Sequence, residues 1–331
     1  ALLAVHGEEI YAAAARKGIE VRYEAAVGGG IPVLSAIKGN MAANNFGTVL
    51  GILNGTCNYI LTRMTKEGVD FAEVLKNAQE LGYAEADPTF DIEGVDTAHK
   101  IALLVSLCFG TRVVFEDIYT EGISAISSID MNFAREFGFK IKLLAIGKMD
   151  GNRVEARVHP TMIPLDYPLA DVNGVFNAIR LTGDFVDTVM FYGRGAGMEP
   201  TASAIVGDVM AIARNLKAGM GRRIAPLGYL DNQLKNLPLK PMVEIVSKYY
   251  LRFSALDKPG VLGKIAGVLG SNNISIESMI QSSSMAGETV PIVIMTHSAL
   301  EGDIRRALLE IDGFDFIKEK SKLIRIEDAL L

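Results

Sequence analysis

LGYAEADPTFDIEGVDTAHK, residues 81–100, sets five carboxylates (Glu85, Asp87, Asp91, Glu93 and Asp96) beside one amine, Lys100, and then runs straight into the apolar IALLVSLCF of 101–109. A solvated acidic loop has no need to abut an apolar helix. A site for a cationic substrate does. The apolar run, closed by Gly110, predicts a helix over 96–110 with the acidic segment as the loop leading into it. Asp96 and Lys100 stand four apart and so share one helix face. Spacing alone equally describes a surface ion pair worth about a few tenths of a kcal/mol. The apolar residues that follow at once point instead to partial burial. A partly buried lysine beside carboxylates can serve as a proton donor. Glu85, Asp87 and Asp91, on the loop before it, suit an ammonium group. His99 reads as packing rather than chemistry.

Upstream, VHGEEIYAAAARKG predicts a helix over 5–17 that ends at Gly18. IEVRYEAAV (19–27) alternates and predicts a strand running into Gly28-Gly29-Gly30, the tail of an α/β unit. A short helix follows that turn, then a strand at 46–53 and a helix after it with Asn54 or Thr56 as cap. Residues 70–82 predict an amphipathic helix stopped by Gly82. Beyond the acidic segment, 119–193 reads as strands, with hairpins at 141–160, turning at Asp150-Gly151-Asn152, and at 174–193. An amphipathic helix spans 198–216, and Pro226, Pro238 and Pro241 mark a linker over 221–246. The remainder reads βαββαβ, a ferredoxin-like module.

Composition narrows the function. A chain of 331 residues is enough for about two or three domains. A net charge of −6 with no basic stripe argues against nucleic acid as a partner. No apolar run approaches the roughly 20 residues that span a bilayer, so no membrane partner is expected. Nothing resembles a signal peptide. Cys57 and Cys108 lie in apolar, helix-like sequence and read as buried thiols of a reducing, cytoplasmic compartment. His6, His99, His159 and His297 show no metal spacing, and zinc is not expected. Two glycine clusters, Gly28–Gly30 and GRGAGM (193–198), invite a nucleotide reading, but neither completes G-x-G-x-x-G, since Met198 stands where the third glycine belongs. GRGAG follows a strand and opens a helix, so its amides suit an anion or a ribose.

YEAAVGGGIP, LNGTCNYIL, LGYAEADPTFDIEGVDTAHK and GRGAGMEPTASA, in that order, resemble homoserine dehydrogenase. LDKPGVLGKIAGVLGSNNISIESMIQ resembles its regulatory ACT domain, so the likeness spans essentially the whole chain. The resemblance implies an α/β fold: an α+β catalytic domain with a mixed sheet, a remnant of a Rossmann domain, and the ferredoxin-like ACT domain. The expected boundaries are 1–26 for the remnant, 27–220 for the catalytic and dimerisation domain, 221–246 for the linker and 247–331 for the ACT domain. It implies reduction of L-aspartate 4-semialdehyde to L-homoserine with NAD or NADP, on the route to threonine and methionine. Lys100 would be the acid–base group and Asp96 its orienting partner. Glu85 and Asp91 would hold the substrate ammonium, with Tyr83, Gly55 and Thr56 completing the pocket. Gly195 and Glu199 would lie by the cofactor. Glu24 and the carbonyls of Val27 and Gly29 would hold Na⁺ or K⁺. Asp257, Gly260 and Asn272 would form the effector site, with threonine the expected effector, in a homodimer or homotetramer.

The family begins with a Rossmann domain that carries a glycine-rich phosphate loop and a cofactor-selecting residue. This sequence contains neither, nor the lysine the family places just before ALLA. It is therefore expected to be an N-terminally incomplete member, inactive as an isolated chain. The alternative reading is a catalytically inactive amino-acid-binding protein acting through the ACT domain.

Overall fold

The computed structural model describes residues 1–281 and 289–328. Two units divide the chain: Ala1–Asn132 with Lys142–Pro160 and Pro168–Leu239, and Phe133–Ile141 with Thr161–Tyr167 and Lys240–Leu331. The first opens on helix α1 (Leu2–Lys17), which Gly18 ends in the left-handed conformation. The strand expected over 19–27 is absent. Residues 24–26 form a single 3-10 turn instead. Alternation makes a strand only where a neighbour supplies backbone partners, and side chains hold this segment. The Glu24 carboxylate accepts the N–H groups of Leu34 and Ser35 at 2.8 Å each, which caps helix α2 (Val33–Lys38) from a distance. The Tyr23 hydroxyl donates to the Pro226 carbonyl at 2.6 Å.

Strand β1 (Phe46–Ile52) leads to helix α3 (Gly55–Glu67), capped by Asn54, one of the two caps the sequence offers. Helices α4 (Phe71–Glu80), α5 (Thr89–Ile92) and α6 (Val95–Phe109) follow. α6 buries 12 of its 15 residues, so it is a core helix, packed on α1, α2 and β1. Its start is set by Gly94 at φ 82° and its end by Gly110 at φ 60°.

Next come strand β2 (Tyr119–Thr120), helix α7 (Ser128–Glu136), strands β3 (Phe139–Asp150), β4 (Arg153–Pro164), β5 (Phe176–Gly183) and β6 (Asp187–Arg194), and helix α8 (Met198–Lys217). Both expected hairpins form. α7 interrupts a stretch read as strands, and its signal is local: Ser127 donates its hydroxyl to Asp130 at 2.6 Å, and its N–H to the same carboxylate at 3.2 Å. That pairing is a helix-opening box. The sheet of the first unit runs β6-β5-β1-β3-β4, with β6–β5, β5–β1 and β1–β3 antiparallel and β2 parallel to β4.

The second unit holds strand β7 (Val246–Leu256), helix α9 (Val261–Ser271), strands β8 (Ile276–Gln281), β9 (Thr289–Thr296) and β10 (Ala299–Leu300), helix α10 (Glu301–Asp312) and strand β11 (Ile317–Ile326). The expected βαββαβ order is present, and its strands lie β11-β7-β9-β8, antiparallel throughout. The end of β4 adds parallel pairs, Thr161 with Arg325 and Met162 with Ile326. Tyr249, Leu251 and Phe253 of β7 pack on Ile265 and Leu269 of α9 and on Ile304 and Ile311 of α10. Inside this unit Glu301, fully buried, takes both arms of Arg325 and the Nε of Arg305.

Candidate functional site

Asn54, 6% exposed, is the hub of the site. Its Oδ1 caps α3 by accepting the Cys57 N–H at 2.8 Å. Its two amide hydrogens go to two carboxylates, Asp91 at 2.7 Å and Asp96 at 3.0 Å. Asp91 sits on α5 and Asp96 in the first turn of α6, so one capping residue gathers three helices. The Thr56 hydroxyl lies 3.2 Å from the second oxygen of Asp91 and 2.7 Å from the Tyr83 carbonyl.

Lys100 lies one turn beyond Asp96 on α6. Its Nζ donates to Asp96 at 2.6 Å and to the Leu53 carbonyl at 2.8 Å. The ion pair is shielded, with side chains 18% and 21% exposed, which removes the surface-pair reading. An ammonium has three hydrogens. Among the described residues two are committed here, which leaves one for a ligand.

The remaining expected residues divide. Gly55 opens α3 where a Cβ would lie 2.9 Å from the Val175 carbonyl, so the residue is small by necessity. The Tyr83 ring tilts against Tyr59, centroids 4.9 Å apart. Glu85 is exposed, and its carboxylate makes no hydrogen bond among the described residues. Asp87 accepts the N–H and hydroxyl of Thr89 at 3.1 and 2.6 Å, which holds it below the usual carboxylate range and makes it a turn-former rather than an ammonium ligand. His99 is buried and stacked on Phe115, with ring centroids 3.8 Å apart; burial lowers its pKa, as packing rather than chemistry requires. Cys57 is buried too, and desolvation followed by the nearby Asp91 charge raises its thiol well above the ordinary value.

The two glycine clusters prove to be one place. Gly30 donates its N–H to the Arg194 carbonyl at 3.2 Å, and a Cβ on Gly29 would fall 2.4 Å from the Gly195 carbonyl oxygen. Gly195 itself rests on Asn177, which the sequence reading passed over. Its signal is a buried amide beside Ala178 and Ile179 on a strand whose other polar side chains, Arg180 and Thr182, are only partly buried. The amides of Ala196, Gly197 and Met198 make no hydrogen bond among the described residues, and Gly197 and Met198 open α8. Such a turn at a helix start fits an anionic group such as a dinucleotide phosphate. Glu199 is exposed in the first turn of α8. In the Glu24–Gly30 turn, the Val27 and Gly29 carbonyls likewise accept nothing among the described residues. The Glu24 carboxylate is committed to α2.

In the second unit Gly260, at φ 88°, caps α9, while Asn272 ends it and donates to the Val268 carbonyl at 3.0 Å. Asp257 accepts from Gln281 at 3.4 Å. Among the described residues no three or more His, Cys, Asp and Glu side chains cluster as a metal site, and no helix is long and apolar enough to cross a membrane.

A lysine held between a carboxylate and a carbonyl, beside a second carboxylate, is an arrangement suited to acid–base work on a polar substrate, and the chain carries a βαββαβ module after it. Known proteins agree. The homoserine dehydrogenase family model matches residues 32–210 and the ACT domain model residues 249–313. Homoserine dehydrogenase of Neisseria gonorrhoeae is 46% identical over 98% of this chain and 75% of its own length. The crystal structure of a homoserine dehydrogenase from Thiobacillus denitrificans superposes with a TM-score of 0.93 at 45% identity, covering 99% of this chain and 74% of that one. A hyperthermophilic archaeal homoserine dehydrogenase in complex with NADPH matches with a TM-score of 0.57 at 25% identity, over 64% of this chain and 61% of its own. The chain belongs to the homoserine dehydrogenase family, and its function is that of the family. The expectation that the chain is inactive by itself finds no support in matches that run over 98% of it.

Proposed function

We propose that Lys100 is the acid–base group in the interconversion of L-aspartate 4-semialdehyde and L-homoserine. The observation that carries this is the bracketing of its amine by Asp96 and the Leu53 carbonyl, with one N–H left over. Reduction of an aldehyde builds negative charge on its oxygen. An oriented ammonium stabilises that charge and supplies the proton. Asp96 holds the amine in line. Asp91, braced by Asn54 and Thr56, binds the substrate ammonium, with Glu85 contributing from the rim beside Tyr83. Gly55 and Thr56 close the pocket floor.

NAD or NADP would lie along Gly195 and Glu199 at the start of α8, and when bound it supplies the hydride. The NADPH held by the archaeal relative supports that class of cofactor. Na⁺ or K⁺ would sit on the Val27 and Gly29 carbonyls, where hard oxygen ligands suit it. Glu24 would contribute its main chain, because its carboxylate is occupied. We assign the chain to the cytoplasm, on the threonine and methionine route, as a homodimer or homotetramer.

Replacing Asp91 by asparagine keeps the shape and removes the charge. It raises KM for homoserine by about 10–100-fold, the worth of a charge-assisted hydrogen bond, with kcat less affected. Steady-state kinetics with an unchanged KM would take Asp91 out of the substrate site.

The ACT unit is proposed to bind threonine near Asp257, Gly260 and Asn272. A ligand shifts activity only by binding one state better than the other. Calorimetry on the full chain is expected to show saturable heat with threonine, lost in Asp257→Ala, together with inhibition of turnover. Absence of both heat and inhibition would leave the module an assembly element.

A further inference from the structure

Asn177 lies on β5 directly across from Gly193 of β6 and is 1% exposed. Its amide has one sensible orientation. Nδ2 donates to the Leu53 carbonyl at 2.9 Å, and turning the amide over would set two oxygens against each other. The same carbonyl accepts from Lys100 Nζ at 2.8 Å, so one main-chain oxygen holds both side chains. Leu53 follows the last residue of β1, and its carbonyl has no other partner among the described residues.

On its other side Asn177 is pressed against the glycine turn. A Cβ on Gly195 would fall 2.0 Å from Nδ2 and 2.1 Å from Cγ. Oδ1 is buried with no hydrogen-bond partner. A strand built for packing alone would place an apolar residue here, as it does at the buried neighbours Ala178, Ile179 and Leu181. An amide with a stranded oxygen is a cost that calls for a reason.

We propose that Asn177 is a positioning residue for the dehydrogenase reaction. Through the shared Leu53 carbonyl it sets the direction of the Lys100 ammonium. Asp96 and Leu53 take two N–H groups, and the third points where those two leave it. The Leu53 carbonyl takes a donor from each side, and Asn177 is the second one, which leaves the oxygen less room to follow the lysine. Its fit beneath Gly195 ties the direction of the amine to the glycine turn, so the two halves of the site keep one register. The inference rests on Lys100 as the acid–base group, and the test separates the two.

Asn177→Asp keeps the volume and sets an oxygen against the Leu53 carbonyl. Asn177→Ala removes the group. Both are made in the full-length enzyme beside Lys100→Ala. A displaced catalytic group costs about 100-fold, so kcat is expected to fall by that order while KM for homoserine and Kd for the dinucleotide stay within about threefold. Turnover near that of the parent in either folded variant overturns the proposal. So does a loss that sits in KM or Kd, and so does failure of both variants to fold, which would make Asn177 a purely structural residue. If Lys100→Ala keeps full turnover, the acid–base assignment fails. If Lys100→Ala is slow and the Asn177 variants are not, only the positioning role fails.

Discussion

Lys100→Ala lowers turnover of homoserine by about 10²–10⁴-fold and leaves dinucleotide affinity nearly unchanged. The structure gives the reason for the loss of turnover. The amine is held at 2.6 Å by Asp96 and 2.8 Å by the Leu53 carbonyl, so alanine removes an aimed group and not merely a charge. The fold should tolerate the change, because Asp96 keeps its bond from Asn54 and the Lys100 side chain is only partly buried. Lys100→Arg sharpens the test. A guanidinium retains the ion pair but does not give up its proton at working pH. Turnover should therefore stay near the alanine level. Full activity in the arginine variant would reduce Lys100 to an electrostatic role, and full activity in the alanine variant would leave only an ion pair.

The second large effect is on stability. Glu301 is 0% exposed and Arg325 3%, and removing one partner strands a buried charge. Glu301→Gln is expected to cost about 3–5 kcal/mol. Hydrogen exchange at the amides of β7 and β11 reads this in the second unit alone, and unchanged protection there would show the pair to be dispensable. The same pair fixes a pH dependence. Burial alone would push the Glu301 carboxyl up, but hydrogen bonds and charge from Arg325 and Arg305 outweigh it and hold its pKa below the ordinary 4.5. A depressed folded pKa means that the unfolded chain takes up the proton first. The contribution is complete above pH 4.5 and is lost as the pH falls through the lower, folded value.

What could be read from the sequence was whatever one segment carries by itself. The four-residue step from Asp96 to Lys100 guarantees a shared helix face, and Asn54 announces a helix start by its chemistry. The alternation and turns of the last 85 or so residues give βαββαβ directly, since each element there patterns itself locally. The failures share a cause. Residues 19–27 alternate like a strand but find no ladder beside them. Asp87 sits among carboxylates yet spends itself on Thr89, because an Asp two residues before a threonine closes a turn. Glu85 belongs to the acidic segment in sequence and stays outside the hydrogen-bonded cluster. The Leu53 carbonyl is invisible by nature, since every residue has one and only the fold decides which is used. Asn177 leaves only a faint mark, since β5 carries Arg180 and Thr182 as well and nothing local says which polar side chain is buried.

That carbonyl also bears on how the protein comes to be folded. It joins Leu53 to Lys100, 47 positions away, and to Asn177, 124 positions away. The hydrogen bonds inside helices α3 and α6 are short-range, whereas the junction requires β1 and β5 to meet across a long intervening chain. Closing such a loop is slow relative to forming local structure. The direction of the amine is therefore a long-range property of the fold, set by three segments far apart in the chain. A chain that has gained its helices but not this one junction is a compact protein without a working amine.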